Sequence, residues 1–260
     1  MFQARSTGGL LIDTGTSRIN VDPGPGALTN MCQISYDIRT TDAVVISHCH
    51  PDHYSDAQVA IEGMTYGGWR RRGEVYGSVS VMEGLNGLGP MMTNYHRSLP
   101  ERCFTVRPGE TYDIAGVKTE ITEADHTDPS NVGFRFSTEH GVVSYVTDTY
   151  YSDRIAEQYR GSRVLLLPIT TPKGNRIKGH LCTDDAVPFL EIVRPELCVF
   201  VHLGIVMLKN DPDAQAREVE EATGIRTIAG RDLMTLDVDE ELRIGDLEPR
   251  RPEWNDAWDL

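Results

Sequence analysis

One short segment, residues 47–53 (SHCHPDH), constrains this 260-residue chain more than any other. It places three histidines and a carboxylate directly after the apolar run 42–47. In an extended backbone, side chains at positions i and i+2 point the same way, so His48 and His50 can bind one ion together. Pro51 keeps His50 out of the α region, after which the chain turns. Imidazole and carboxylate groups are ligands that Zn²⁺, Mn²⁺ and Fe²⁺ prefer, so the segment predicts a metal site.

Beyond this turn, Asp52 and His53 can face a second ion. Four ligand-capable side chains cannot complete two coordination shells, so further ligands must come from the ends of other strands. Three positions just beyond apolar runs fit this requirement: His126, Asp148 and His202. Asp128 and Asp153 are the alternatives to Asp148. The pattern predicts a site for two divalent ions, with Zn²⁺ as the first choice and Mn²⁺ or Fe²⁺ as alternatives.

The remaining pattern predicts a mixed α/β fold rich in short strands. Apolar runs broken by Gly and Pro open the chain at 9–22, and the strand pattern returns at 103–148 and 163–168. Helices are expected at 184–193 and 213–223. Two batches of strands, each followed by helical crossover segments, favour two sheets packed face to face with helices outside.

Pro188 is unfavourable inside a helix, so we expect the helix around it to begin near residue 187.

Domain boundaries follow from the same pattern. Residues 62–100 are rich in Gly, Met, Tyr and Arg and show no clean periodicity. We expect a single domain at 1–246, a loop or insertion near the site at 62–100, and a C-terminal tail at 247–260.

Composition limits the location and the partners. The chain has 39 acidic and 25 basic residues, a net charge of −14, which disfavours general nucleic-acid binding. The run 69–72 (WRRR) is either a local basic site or a solvated loop.

No apolar run approaches the roughly 20 residues that span a bilayer, and no secretory signal is recognisable. Five cysteines without a Cys-x-x-Cys pair indicate no disulfide framework. We expect a cytoplasmic protein without a membrane partner, and homo-oligomerisation stays open.

The histidine segment resembles the His-x-His-x-Asp-His motif of the metallo-β-lactamase superfamily, matched by His48, His50, Asp52 and His53. The later His126, Asp148 and His202 are similar to that family's single ligands in type and order, and the resemblance covers about residues 8–240. It implies a four-layer αββα sandwich, that is, an α/β (α+β) fold.

The resemblance also implies how the ligands divide. His48, His50 and His126 would hold one ion, Asp52, His53 and His202 the other, and Asp148 would bridge them. Two ions about 3.5–4 Å apart can lower the pKa of a water between them to near 7, and the resulting hydroxide supplies a nucleophile without serine or cysteine. Asp52 would then have a catalytic role as well, ligating an ion and orienting the hydroxide.

His180 extends the resemblance toward the phosphodiesterase branch, which includes ribonuclease Z. The context Gly179-His180-Leu181-Cys182-Thr183 is similar to one in which a histidine of that branch contacts the scissile phosphate. As a general acid, His180 would protonate the leaving group. The alternative is a structural histidine at the start of a helix. The extended arm with which ribonuclease Z binds transfer RNA is not recognisable in this chain.

Three functions remain from the sequence. The first is a binuclear metal-dependent hydrolase that acts on a phosphodiester such as a small or cyclic one. The second is a lactone or thioester hydrolase on the same metal site, in which Tyr150 or Tyr151 would polarise a carbonyl. The third is a metal-binding protein without catalysis.

Several other candidate residues are expected to have structural roles. His96 and His140 are expected outside the site. We expect Asp13 and Asp22 to form turns or orient ligands, and Cys49, which alternates with the two histidines, to pack in the core.

Overall fold

The computed structural model describes residues 4–249 of the chain. The predicted tail therefore lies mostly outside the described residues. No helix in the described range combines the length and apolar character needed to cross a membrane.

The first sheet contains the strands of the N-terminal part of the chain. In chain order these are β1 (Leu10–Asp13), β2 (Arg18–Val21), β3 (Ala43–Ile46), β4 (Glu74–Gly77) and β5 (Arg102–Thr105). The strands lie in the order β1-β2-β3-β4-β5; β1 and β2 form an antiparallel hairpin, and the others pair in parallel.

The second sheet is larger and is followed by a separate hairpin. The second sheet contains β6 (Thr111–Ile114), β7 (Val117–Glu123), β8 (Val132–Thr138), β9 (Gly141–Tyr145), β10 (Ser162–Thr171), β11 (Leu181–Cys182), β12 (Leu197–Val201) and β13 (Arg226–Ala229). The hairpin consists of β14 (Met234–Val238) and β15 (Leu242–Asp246). The order of the second sheet is β13-β12-β10-β9-β8-β7-β6, with β11 paired to β10. Strands β7, β9, β10 and β12 all run in one direction, so their carboxyl ends meet at one edge.

The helices are mostly short. In chain order they are α1 (Ala27–Gln33), α2 (Pro51–Tyr54), α3 (Ala57–Met64), α4 (Val79–Met82), α5 (Asn94–Ser98), α6 (Asp153–Glu157), α7 (Thr183–Val193), α8 (Ile205–Leu208) and α9 (Pro212–Thr223), with a 3₁₀ turn at Ile38–Thr40. The helix α9 ends at Gly224, whose left-handed conformation closes it.

Strand alternation divides the core into layers. Val45 packs between the two sheets, whereas its neighbours Val44 and Ile46 pack outward against α3. In the second sheet, Leu165 and Leu167 pack outward in the cluster that includes residues of α6, α7 and α9. The layers are therefore helix, sheet, sheet and helix, which confirms the αββα sandwich expected from the sequence.

The interpretation of residues 62–100 as a loop or insertion is wrong for its central part. Residues 74–77 form β4, an inner strand of the first sheet between β3 and β5. The strand has only four residues and is buried on both faces, so it lacks the alternation that reveals a half-buried strand. The basic run is partly structural, because Arg72 binds the backbone oxygens of Arg39 and Thr41, whereas Trp69 is 89% exposed.

The expected start of α7 is also wrong. The helix begins at Thr183 and contains Pro188. Its first turn is held by Asp185, which accepts the backbone N–H of Cys182, and this cap helps to offset the hydrogen bond that Pro188 cannot make.

Candidate metal centre

The predicted ligands meet at the edge where the carboxyl ends of the strands converge. His48 and His50 follow β3, His126 follows β7, Asp148 follows β9 and His202 follows β12. The short helix α2 begins at Pro51 and places Asp52 and His53 in the same region. The described residues form three groups whose ligand atoms lie within 4.8 Å of one another: His48, His50, His126 and Asp148; Asp52, His53 and His202; and Asp148, His180 and His202.

We call His48, His50 and His126 the first triplet. Its ring nitrogens face one another closely: His50 Nδ1 lies 3.0 Å from His48 Nε2 and 3.1 Å from His126 Nε2. Three imidazole nitrogens directed at one point are a suitable donor set for a borderline divalent cation.

We call Asp52, His53 and His202 the second triplet. Asp52 Oδ2 lies 3.3 Å from His202 Nε2 and 3.8 Å from His53 Nε2. The backbone of His202 has a φ of 55°, in the left-handed region that a non-glycine residue seldom adopts. Such strain is common where a side chain must be aimed into a functional site.

Asp148 lies between the triplets. Its Oδ2 atom is 3.3 Å from His202 Nε2, 3.4 Å from His53 Nε2, 3.9 Å from His126 Nε2 and 4.0 Å from His48 Nε2. One carboxylate oxygen thus contacts nitrogens of both triplets, as a shared ligand would. The alternatives lie elsewhere: Asp128 binds Ser80 and Ser130, and Asp153 accepts a hydrogen bond from Tyr151.

Each histidine of the two triplets is held by a partner on the side away from this centre. The pairs are His48 Nδ1 with Ser47 Oγ (2.9 Å), His50 Nε2 with Thr127 Oγ1 (3.2 Å), His53 Nδ1 with Asp22 Oδ2 (2.9 Å), His126 Nδ1 with the Gly179 carbonyl (2.8 Å) and His202 Nδ1 with Thr170 Oγ1 (3.1 Å). The Gly179 carbonyl and the Asp22 carboxylate can only accept hydrogen bonds. His126 and His53 therefore donate from Nδ1 and turn Nε2 toward the centre. Such partners fix the orientation of metal-binding imidazoles.

Two orphaned atoms indicate that the residues fit a cation. Within the described range, His53 Nε2 and Asp148 Oδ1 are buried without a hydrogen-bond partner. A buried polar atom without a partner is costly, and a divalent ion would satisfy both.

The pKa values of the histidines shift in opposite directions within the centre. Burial, aided by the charge of His53, holds the pKa of His48 well below its usual value, and burial lowers the pKa of His126 to about 4. Burial alone would lower the pKa of His53, but the Asp148 and Asp22 carboxylates beside it raise that pKa well above its usual value.

The carboxylates respond in the opposite direction. Burial alone would raise the pKa of Asp148, but the charges of His202 and His53 hold it well below its usual value. Burial likewise opposes the ionisation of Asp52, yet the hydrogen bond from His202 and the charge of His53 lower its pKa to about 2. Both carboxylates are therefore ionised at neutral pH.

His180 lies beside the centre. Its Nδ1 atom is 3.7 Å from Asp148 Oδ2 and 3.3 Å from Thr170 Oγ1, and its ring stacks on that of His202 with centroids 5.4 Å apart. It is therefore close enough to act on a group bound at the centre or to serve as a ligand itself.

The remaining candidates lie away from the centre or support it. His96 pairs with Glu62, and His140 lies 3.4 Å from Asp239. Asp13 caps the β1–β2 turn, as expected. Cys49 is buried, and burial raises the pKa of its thiol to about 11.

Asp22 supports the centre, as the sequence suggested. It accepts hydrogen bonds from the backbone and hydroxyl of Ser47, from His53 and from Tyr145. Sequence reasoning missed Thr127, Thr170, Gly179 and Tyr145. Adjacency to His126 and His180 could have pointed to Thr127 and Gly179, whereas Tyr145 and Thr170 carry no local signal.

The αββα sandwich with His/Asp clusters at one sheet edge defines the metallo-β-lactamase class of hydrolases. Residues 17–203 match the family model described as the β-lactamase superfamily domain, and the chain belongs to this family.

Individual relatives are similar to the chain over most of its length. An uncharacterised protein of Methanocaldococcus jannaschii is 36% identical over 231 residues, covering 88% of this chain and 86% of its own. Ribonuclease Z of Methanopyrus kandleri is 23% identical, covering 92% and 85% respectively. Among solved structures, the metallo-β-lactamase fold protein YhfI of Bacillus subtilis superposes with a TM-score of 0.74 at 16% identity, covering 93% of each chain.

Proposed function

We propose that the protein is a metal-dependent phosphodiesterase acting on a small phosphodiester. The observation that carries this proposal is the position of His180 beside both Asp148 and His202. The similarity to ribonuclease Z over most of the chain supports the same class of substrate.

The first triplet and the second triplet would hold one divalent ion each, with Asp148 contacting both and Zn²⁺ as the first candidate. When bound, such a pair of ions supplies a water of lowered pKa and offsets negative charge on the substrate. The chain's own contribution is orientation. Ser47, Thr127, Thr170, Asp22 and Gly179 hold the histidine rings so that their inner nitrogens face the centre.

Two residues are proposed to act on the reacting groups. Asp52, ionised at neutral pH, would accept a hydrogen bond from the attacking water and orient it. His180 would donate a proton to the leaving oxygen, which an imidazole within hydrogen-bond reach can do. With a net charge of −14, the chain favours a small anion over a long polyanion.

A carbonyl substrate has less support. The Tyr151 hydroxyl donates to Asp153, and the ring packs against the core cluster that includes Phe189.

A cytoplasmic location is also part of the proposal. It rests on the five cysteines, all with free thiols.

Replacement of His180 tests the function. We expect His180→Ala to keep its full metal content and to lose about 10²- to 10⁴-fold in kcat, the usual contribution of a general acid. Turnover of bis(p-nitrophenyl) phosphate and of a lactone should be measured side by side on Zn²⁺- and Mn²⁺-loaded protein, together with metal per chain.

His140→Ala is the matched control, because His140 lies in the β8–β9 turn at the opposite edge of the sheet. It should leave turnover unchanged. Loss of an ion from His180→Ala would make His180 a ligand, and hydrolysis of the lactone alone would replace the proposed substrate class.

A further inference from the structure

Residues 172–180, which we call the β10–β11 segment, connect those two strands. Residues 173–178 are exposed, whereas Gly179 is buried against the metal centre. The Gly179 carbonyl accepts a hydrogen bond of 2.8 Å from His126 Nδ1, and the next residue is His180. One peptide therefore contacts a residue of the first triplet and leads directly into the proposed acid.

Gly179 meets two separate constraints. Its φ of +81° is one that L side chains rarely adopt. A Cβ at this position would lie 2.7 Å from His126 Nδ1, closer than real Cβ contacts, and 3.0 Å from His126 Cε1, which is tighter than most. A side chain here would therefore push the His126 ring away from the carbonyl that orients it.

We propose that Gly179 is a positioning residue: through its carbonyl and its lack of a side chain, it holds His126 for the first ion and couples that ion to the placement of His180. The inference rests on the proposed metal site. It adds that the His126 tautomer, with the proton on Nδ1 and the lone pair on Nε2, is selected by the β10–β11 segment.

Gly174 offers a matched comparison on the same segment. Its φ is +73°, close to that of Gly179, but a Cβ there would meet nothing within 4 Å. An alanine at either position carries a similar backbone penalty, and only the one at Gly179 meets the His126 ring.

Calorimetric titration of Zn²⁺ into metal-free full-length chains tests the proposal. We expect Gly179→Ala to weaken one of the two binding steps by about 10- to 100-fold, the usual effect of losing a partner of a ligand. Gly174→Ala should match the wild type. Trypsin cleavage at Lys173, Arg176 or Lys178 should be slowed by Zn²⁺ in the wild type and less so in Gly179→Ala.

Equal Zn²⁺ binding by Gly179→Ala and the wild type would overturn the inference, as would an equal loss in both alanine variants. A wild type that binds no Zn²⁺ contradicts the proposed function instead.

A measurement without any substitution covers the case in which Gly179→Ala fails to fold. Long-range ¹H–¹⁵N spectra of the metal-free wild type should show His126 protonated on Nδ1. Protonation on Nε2 would overturn the inference whatever the metal content.

Discussion

Both triplets contain histidines, and yet the histidines of one triplet differ from those of the other in how they would meet a cation. In the first triplet, burial lowers the pKa of His48 and of His126, so both rings are neutral at neutral pH. In the second triplet, neighbouring carboxylates raise the pKa of His53 and of His202. A cation bound by His53 and His202 must therefore displace protons, whereas His48 and His126 offer a cation rings that are already neutral.

The physical reason is the placement of charge. His53 lies between Asp22 and Asp148, with a carboxylate oxygen 2.9 Å from one ring nitrogen and 3.4 Å from the other. His48 and His126 stand 3.9 to 4.0 Å from the nearest oxygen of Asp148, and each turns its other nitrogen to a neutral acceptor. Identical side chains thus acquire opposite protonation preferences from their neighbours.

The largest effect is expected from the loss of the Asp148 carboxylate, which contacts both triplets. Asp148→Asn keeps the shape of the side chain but loses its charge, so we expect metal content to fall below one ion per chain. Turnover should fall by about 10³-fold or more, because the ions would no longer be held together. Elemental analysis and steady-state kinetics measure both.

Asp128→Asn is the control for that variant, since Asp128 is also buried but binds Ser80, Ser130 and the backbone of Cys49. It should cost about 1–3 kcal/mol of stability and keep both ions. Metal loss from Asp128→Asn but not from Asp148→Asn would contradict the assignment of the shared ligand.

Lowering the pH should release the ions of the two triplets at different pH values, without any substitution. A histidine with a raised pKa holds its proton to higher pH, so the second triplet should lose its ion first as the pH falls below neutrality. Affinity there should drop about tenfold per pH unit for each proton that competes. Within the first triplet, His126 should stay neutral until the pH nears its pKa of about 4, so we expect this triplet to lose its ion later.

Metal per chain, measured after equilibration across pH 8 to 4, distinguishes the two steps. Simultaneous loss of both ions, or earlier loss from the first triplet, would remove the distinction between the triplets.

The smallest expected effects come from the two threonines that hold the rings. Thr170→Val removes the hydroxyl 3.1 Å from His202 Nδ1 and should weaken the second ion about tenfold. Thr127→Val removes the hydroxyl 3.2 Å from His50 Nε2 and should weaken only the first ion, by less, because Thr127 is exposed and water can replace it. Titration calorimetry of the pair checks this, and a change in the same binding step for both variants would contradict it.

Much of the fold followed from local patterns. The helix α9 lies within one residue of the predicted span 213–223, and strands β1 and β2 lie within the predicted run 9–22. The prediction for residues 74–77 failed because a four-residue strand buried on both faces has no alternation to detect. The start of α7 differs from the prediction because the cap that Asp185 provides stabilises a first turn that Pro188 alone disfavours.

By itself, the sequence determined the chemistry of the centre: residues 47–53 concentrate imidazoles and a carboxylate at a spacing that packing does not require. Only the tertiary structure decided which residues complete it and how each is tuned. Asp148 stands between the triplets, and Gly179 lies against His126, because distant strand ends meet at one sheet edge. Proton affinity depends on burial and on charges within a few ångströms, and those distances exist only once the two sheets have packed.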